Sequence, residues 1–535
     1  MLEYSSVTKD IKYTNNGLFT ATPMRSKKIV RASELFIETG GFERAPSQEG
    51  VARTVFGPWF RHMGIVYGKD LSTRLQSLYR LTNARGGDLA QDTMCRQAQE
   101  ACDFTSYPVF IDLKRRIELA LHPVTDVYCS IVDNANEVHP KRALRLAALE
   151  ELTEKGLVYG TAYTTLVTSK LKPLEWAKFG KAPRNIVDMS CPASLLGGYL
   201  MAILKHCMEK PYMGGNLWAA YVPNPNVQRI TALFERLINP ERVTFGYFSD
   251  DSCASFRCKD GVLMVNLDIS GCDGSHTRTV FDTMLWLCQD TKHTATMSGV
   301  LDQLSLPLEF RHDDVKLSLT PLGRALYSGS TATTFTNNVG VLSIGHRLSD
   351  VYSPELTMDQ MYALIIPACA SVGYMMTCQR CECVEDLQFL KMSPCYLTDG
   401  SLSSCLNLGV ILRTIGQCAG ELPGKVKTPE YKRMWDYTCG LVAGFKHAGD
   451  HSLLSILRRK YPDRCTPIYS GYLTSHMSGV TGLADDLSIC RRYRITPDEW
   501  SELLDLVDSS SFGDILWCPA SEKILGLDYG LVSRA

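Results

Sequence analysis

Gly246-Tyr247-Phe248-Ser249-Asp250-Asp251, then Val262-Leu263-Met264-Val265-Asn266-Leu267-Asp268 running into Ile269-Ser270-Gly271-Cys272-Asp273, is the stretch on which the fold turns. Both halves are rich in apolar, β-branched and aromatic residues, which predicts two strands, each ending in carboxylates. Between them Lys259-Asp260-Gly261 reads as a tight turn. Asp260 lies nine residues after Asp251 and eight before Asp268, so a hairpin folded there brings the two acids opposite each other. A type I turn with Gly261 at a left-handed bulge position predicts a register within about one residue, with Cβ atoms roughly 5 Å apart. Like charges so placed repel unless something neutralises them. Divalent cations do so economically, since Mg²⁺ prefers carboxylate and phosphate oxygens and keeps water at its other positions.

Working outward, 535 residues at 45% hydrophobic and 21% charged predict three or four domain-sized pieces or one large multi-lobed enzyme, and exclude a disordered or collagenous chain. Lysine plus arginine (56) nearly balances aspartate plus glutamate (57), so a polyanion partner must be held by a local basic groove. The 20 cysteines lack the spacing of a secreted disulfide scaffold, and Met1 to Asp10 has no signal-peptide pattern, which points to a reducing, cytosolic setting. The longest uncharged stretch, Met361 to Gln379, contains Pro367, Ser371 and Thr377 and reads as a buried helix plus turn. No transmembrane segment is predicted.

Residues 1 to about 165 read as mostly helical, most clearly from Pro140 to Lys155. Lys170, Lys172, Lys178, Lys181 and Arg184 then crowd a short segment against one acid, Glu175, the densest basic patch in the chain. Helical periodicity resumes at Thr279 and continues with breaks to about Val507. A second acidic pair, Asp485-Asp486, sits in a helix-like setting ahead of Arg491-Arg492 and reads as structural. Two motifs suggest zinc. Cys378-x2-Cys381-x-Cys383, with Cys395 nearby, matches no standard knuckle and reads as reduced core cysteines. His447-x2-Asp450-His451 looks like an inverted zinc-hydrolase motif, but Gly444 and Gly449 weaken the helix it needs. A zinc-dependent hydrolase and a non-catalytic RNA-binding protein are the competing functional readings.

Ser328-Gly329-Ser330-Thr331-Ala332-Thr333-Thr334-Phe335-Thr336-Asn337 resembles motif B of viral RNA-dependent RNA polymerases, Ser-Gly-x3-Thr-x3-Asn. Beside it, Asp268-x4-Asp273 is similar to motif A, Ser249-Asp250-Asp251 to motif C, and Lys181-Ala182-Pro183-Arg184-Asn185-Ile186 to motif F. Ala370 to Tyr374 resembles motif D, and Phe389-Leu390-Lys391 motif E. Motif C precedes motif A, an order that resembles the permuted palm of birnaviruses and permutotetraviruses. Two aspartates stand where birnaviruses carry Ala-Asp-Asn, a likeness to ordinary positive-strand polymerases.

The resemblance implies an α+β right-hand fold with an antiparallel palm sheet. Fingers would span 1–240, including the basic segment 170–186. The palm would span 241–400, with motif C at 246–252, A at 262–273, B at 328–338, D at 370–380, E at 388–392 and a fingers insertion near 285–320. A helical thumb would span 401–535. It further implies RNA copied from RNA, with Mg²⁺, or Mn²⁺ as a substitute, held chiefly by Asp268 and Asp250 and supported by Asp251. Asp273 and Asn337 would read the ribose 2′-hydroxyl, which distinguishes RNA from DNA precursors. Ser328, Gly329 and Thr333 would place the nucleotide, Lys181 and Arg184 would hold its triphosphate, and Lys172, Lys178 and Lys391 would contact RNA. No lysine occurs between Gly373 and Lys391, so Arg380 or water would have to protonate pyrophosphate. Implied partners are template and product RNA, nucleoside triphosphates and other viral replication or capsid proteins, in the host cytoplasm within a replication complex or virion.

Overall fold

A computed structural model of the chain describes residues 12–13, 16–23, 48–49, 59–60, 66–121, 127–137, 142–154, 167–172, 175, 182–223, 225–313, 315–415, 425, 427–445, 448–462, 482–512 and 514–530. At its centre is a six-stranded sheet. Its strands, in chain order, are β1 (Tyr212–Gly214), β2 (Leu217–Tyr221), β3 (Val243–Phe248), β4 (Asp251–Cys258), β5 (Gly261–Ile269) and β6 (Met376–Arg380). They lie side by side in the order β6-β5-β4-β3-β2-β1.

The strands alternate between two faces, as a two-residue period requires. Phe245, Phe256 and Val265, each at 0% exposure, point into one large core with the helices Pro108–Leu121 and Cys191–Cys207 and with α2 (Thr333–Val351) and α3 (Met358–Ser371). Burying each such side chain contributes roughly 1.5–3 kcal/mol. Cys253 and Met264 face the other way, into a second core built from α1 (Val227–Ile238) and the C-terminal helices. With β4 and β5 alternating in step, Asp251 and Asp268 fall on this second face.

Two tight turns join β3, β4 and β5. Phe248 pairs with Asp251 around Ser249-Asp250, and Cys258 pairs with Gly261 around Lys259-Asp260. The predicted bulge at Gly261 does not form: Gly261 opens β5 at φ 150°, and the β4–β5 register runs unbroken from end to end. The central sheet is also not wholly antiparallel, because β3 runs parallel to β2. The connection is α1, a strongly amphipathic helix whose buried Ile230, Leu233, Phe234 and Leu237 recur on one face.

The N-terminal part is less helical than its sequence suggests. Phe19–Pro23 pairs with Val315–Pro321, which pairs with Leu308–His312, and Val167–Leu171 and Asn185–Asp188 complete a second six-stranded sheet with Lys12–Tyr13 at its far edge. That hairpin at 308–321 also interrupts the helical run predicted from Thr279. Its outer partners lie more than a hundred residues away in sequence. Arg142–Glu154 is helical as expected, and the stretch from Met361 forms most of α3, a turn at Gly373 and then β6. Helices therefore mix with antiparallel-rich sheets, an α+β architecture. Among the described residues no helix is long and apolar enough to cross a membrane.

Candidate active site at the end of the central sheet

Asp251, the first residue of β4, lies directly opposite Asp268 near the end of β5. Opposed residues of an antiparallel pair put their side chains on the same face, so the two carboxylates share one surface. Asp250 occupies the turn before β4 and is exposed. The residue in register with Asp268 is thus Asp251, as the hairpin spacing predicts, although the resemblance assigns it only a supporting role. The backbone N–H of Leu390 donates to Asp251 Oδ2 at 2.8 Å. Burial, with Asp250 and Asp268 close by, pushes the Asp251 carboxyl up to about 7, against that hydrogen bond and Lys391, which favour its ionised form.

The left-handed Ser249, at φ 54°, makes the turn possible, and two successive asparagines of α2 hold it there. Asn338 Oδ1 accepts from the Ser249 N–H at 2.7 Å, and Asn337 Nδ2 donates to Ser249 Oγ at 3.0 Å. Asn337 Nδ2 also donates to Asp273 Oδ1 at 2.8 Å. Burial raises the Asp273 carboxyl above its ordinary range and nearby Asp250 adds to the rise, while hydrogen bonds from Asn337 and Ser328 and the Arg184 charge oppose it. In this way segments similar to motifs A, B and C meet at one point.

Ser328 and Gly329 connect that point to the basic segment. The Val187 N–H donates to the Ser328 carbonyl at 2.9 Å, and Gly329, at φ 98°, approaches so closely that a Cβ there would stand 2.8 Å from the Val187 carbonyl oxygen. Only glycine tolerates both the dihedral and the approach. Thr333 begins α2 and donates its hydroxyl to the Tyr327 carbonyl at 3.1 Å, which fixes the loop.

Arg184 heads the strand Asn185–Asp188, with its Nε 2.6 Å from Glu175 Oε1. Lys172 lies across from it, its amide donating to the Arg184 carbonyl at 3.0 Å. Partial burial lowers the Lys172 pKa, as do Arg184 and Arg413, whereas Glu175 and Asp250 raise it. Lys170 instead pairs with Asp188. Lys178 and Lys181 lie outside the described residues. Sequence reasoning missed Arg80, which burial and Arg184 pull below its ordinary pKa while Glu175 and Asp268 act in the opposite sense. It sits in a helical segment far upstream, with no local motif to announce it.

Leu390 and Lys391 form a two-residue turn with φ 53° and 64°, closed by reciprocal hydrogen bonds between Phe389 and Met392. The Lys391 ammonium stands 5.4 Å from the centre of the Tyr529 ring, which Arg413 also approaches at 5.0 Å. Arg380 is not part of the site. It pairs with Val265 in the middle of β5, on the face opposite Asp268, and binds Asp359 at 2.5 Å.

The other candidates are engaged in structure. Asp485 caps the helix Asp486–Tyr493 by accepting from the Leu487 N–H at 3.1 Å, and Asp486 accepts from Ser452 Oγ at 2.9 Å. His451 is fully buried, caps Ser452–Lys460 through Nδ1, and is held neutral by burial, which drops its pKa to about 3. Asp450 binds Arg458 at 3.0 Å, and His447 lies outside the described residues. Burial raises the pKa values of the Cys378, Cys381 and Cys383 thiols, and the buried Cys395 instead approaches Cys405 Sγ at 3.1 Å.

Among the described residues no group of three His, Cys, Asp or Glu side chains converges tightly enough to enclose a metal by itself. The donor set at Asp250, Asp251 and Asp268 still suits Mg²⁺, which takes one or two carboxylates and completes its shell with water and substrate phosphate.

No family model matches the chain, and no curated protein matches it. Among solved structures it is similar to the X-ray structure of the birnavirus VP1–VP3 complex, with a TM-score of 0.38 and 11% sequence identity. The match covers 63% of this chain and 47% of that chain, so it spans less than half of the matched protein. A likeness of that size leaves function to be argued from the side chains.

Proposed function

We propose that the chain is an RNA-dependent RNA polymerase that replicates and transcribes a viral RNA genome by nucleotidyl transfer. One observation carries this reading: Asp251 and Asp268 oppose each other on adjacent strands, with Asp250 in the adjoining turn and a hydrogen-bonded Asp273–Asn337–Ser249 cluster beside them. Two like charges some 4 Å apart repel by on the order of 1–4 kcal/mol near a protein surface. That is a cost a fold keeps where a cation is to be held. Asp250, Asp251 and Asp268 would hold Mg²⁺, or Mn²⁺ in its place. When bound, a pair of such ions supplies activation of the primer 3′-hydroxyl and stabilisation of the departing pyrophosphate.

The remaining roles fall to the chain's own side chains. Arg184, Lys172 and Arg80 gather positive charge on the side where a triphosphate would enter, and an arginine fork matches phosphate geometry. Asp273 would accept from a ribose 2′-hydroxyl, and Asn337, which donates to both Asp273 and Ser249, would orient that carboxylate. The Ser328–Gly329 loop lets backbone approach the nucleotide. Lys391 would meet the product strand, and Lys178 and Lys181 would add to the triphosphate and template contacts. With Arg380 committed to Asp359, water is left to protonate pyrophosphate. On this reading fingers, palm and thumb occupy 1–240, 241–400 and 401–535, with motif C ahead of motif A in a permuted palm. The partners are RNA, nucleoside triphosphates and other viral replication or capsid proteins in the host cytoplasm.

The test is template-dependent nucleotide incorporation with Mg²⁺. Asp250→Asn and Asp268→Asn should each lower synthesis about a thousandfold, a loss of the size seen when a key electrostatic group is removed. Asp485→Asn should leave it within twofold. Undiminished synthesis by the first two variants would defeat the assignment.

A further inference from the structure

Behind Asp273 and Asn337 runs a line of buried polar groups that no step above uses. Asn337, at 1% exposure, is a side chain whose amide could be turned either way. Its Nδ2 must face the Asp273 carboxylate and Ser249 Oγ, because turning the amide over would set its oxygen against the carboxylate. Oδ1 therefore points inward, where His276 Nε2 stands 2.7 Å away and Cys272 Sγ 3.5 Å away. An amide oxygen only accepts, so His276 carries its proton on Nε2. Complete burial pulls the His276 pKa down to about 4, which keeps the ring neutral and leaves Nδ1 as an acceptor. At 3.0 Å from Nδ1 lies the hydroxyl of Tyr374, a side chain at 0% exposure. Every donor in the line then points one way, from Tyr374 through His276 and Asn337 to Asp273.

The fold keeps room for this line at one position. A Cβ on Gly340 of α2 would stand 2.1 Å from the Tyr374 hydroxyl and 2.7 Å from His276 Cε1. The residue one turn beyond Asn337 must be glycine for the imidazole and phenol to fit. An ordinary helix interior disfavours glycine by about 1 kcal/mol relative to alanine, so the space is kept at a cost.

We infer that His276 and Tyr374 are positioning residues for substrate selection: they hold Asn337 Oδ1 from behind and so fix the amide whose Nδ2 sets the Asp273 carboxylate for a ribose 2′-hydroxyl. The inference rests on the polymerase reading and adds a determinant of sugar discrimination that touches no substrate. If the amide is released, the site loses its preference for a 2′-hydroxyl while the carboxylates at Asp250, Asp251 and Asp268 stay where they are.

The experiment compares single-nucleotide incorporation of a ribonucleotide and its 2′-deoxy counterpart on an RNA template, using the full chain. His276→Leu should reduce the ribo-to-deoxy ratio of kcat/KM by about tenfold, the size expected when one buried hydrogen bond is lost. The fall should come through the ribonucleotide's KM. His276→Gln, whose amide nitrogen can take the place of Nε2–H, should restore most of the ratio, and Tyr374→Phe should give a smaller loss. An unchanged ratio in a folded His276→Leu protein overturns the inference, as does an equal loss for both sugars. The imidazole ¹⁵N spectrum decides the hydrogen-bond line without any catalysis. A neutral Nε2–H tautomer from pH 5 to 8 supports it, and an Nδ1–H tautomer overturns it. If the wild-type chain incorporates no nucleotide, the polymerase reading fails and the ribose role with it, whichever tautomer is found.

Discussion

Two of the Asp-Asp pairs in this chain, Asp250-Asp251 and Asp485-Asp486, are put to opposite uses by the structure. At Asp485-Asp486 each carboxylate has local work: one caps a helix and the other accepts a serine hydroxyl. At Asp250-Asp251 a turn and a strand end aim the acids toward a third carboxylate, with positive residues arriving from distant segments. The dipeptide is the same, so the lesson lies in the backbone beneath it. A helix N-terminus offers free N–H groups that satisfy carboxylates. Among the described residues, the end of this hairpin offers Asp251 the N–H of Leu390, with Lys391 close by and Asp250 and Asp268 opposing them.

The widest separation between the pairs should appear in catalysis. Asp251→Asn should lower Mg²⁺-dependent incorporation by at least about a hundredfold, whereas Asp486→Asn should not alter it. Equal losses at both sites, measured as initial rates, would erase the distinction. Next in size is a pH effect. The folded-state pKa of Asp251 lies above its unfolded value, so the folded chain holds a proton that the unfolded chain has released. Without divalent ions, stability should therefore fall as pH rises from about 4 to about 7. Thermal melts should show this decline flattened in Asp251→Asn and offset by added Mg²⁺ in the wild type. A wild-type melting temperature at pH 8 that ignores Mg²⁺ would count against a metal at this pair.

Smaller again is the effect of the positive rim. Arg80→Ala should raise the KM for nucleoside triphosphate by roughly tenfold, the worth of one charge-assisted hydrogen bond, with little change in melting temperature. No change in KM would remove Arg80 from the site. The least effect belongs to the helix cap: Asp485→Ala should cost about 1 kcal/mol of stability in a denaturant titration and leave synthesis intact.

The hairpin was legible because its information is local: a turn midway between two acids, flanked by strand-forming residues. Its register came out closer than expected, since Lys259-Asp260 closes it without a bulge. The Ser328 to Asn337 segment was legible through residue pattern, and it does meet Asp273. What was hidden has no residue signature. The N–H that holds Asp251 belongs to the backbone of Leu390, and any non-proline residue could supply it. Arg80 and the Phe19–Pro23 strand reach their places through partners remote in sequence, beyond any periodicity in a short window. Arg380 stood at a tempting sequence position, but strand register opposite Val265 puts it on the other face of the sheet from Asp268. Asn338 was passed over beside Asn337, though it fixes the strained Ser249 backbone.

The unbroken pairing from Cys258–Gly261 up to Asp251–Asp268 also bears on how the molecule is made. Only 16 residues separate the two acids, so bringing them together requires closing one short loop with little loss of chain entropy. Hairpins of this kind zip on a timescale of about 1–10 μs. The strand that follows on β5's other side, Met376–Arg380, comes from more than a hundred residues downstream and must dock later. This pair of opposed carboxylates can thus assemble early, while still open to water and ions, and the rest of the chain folds around it.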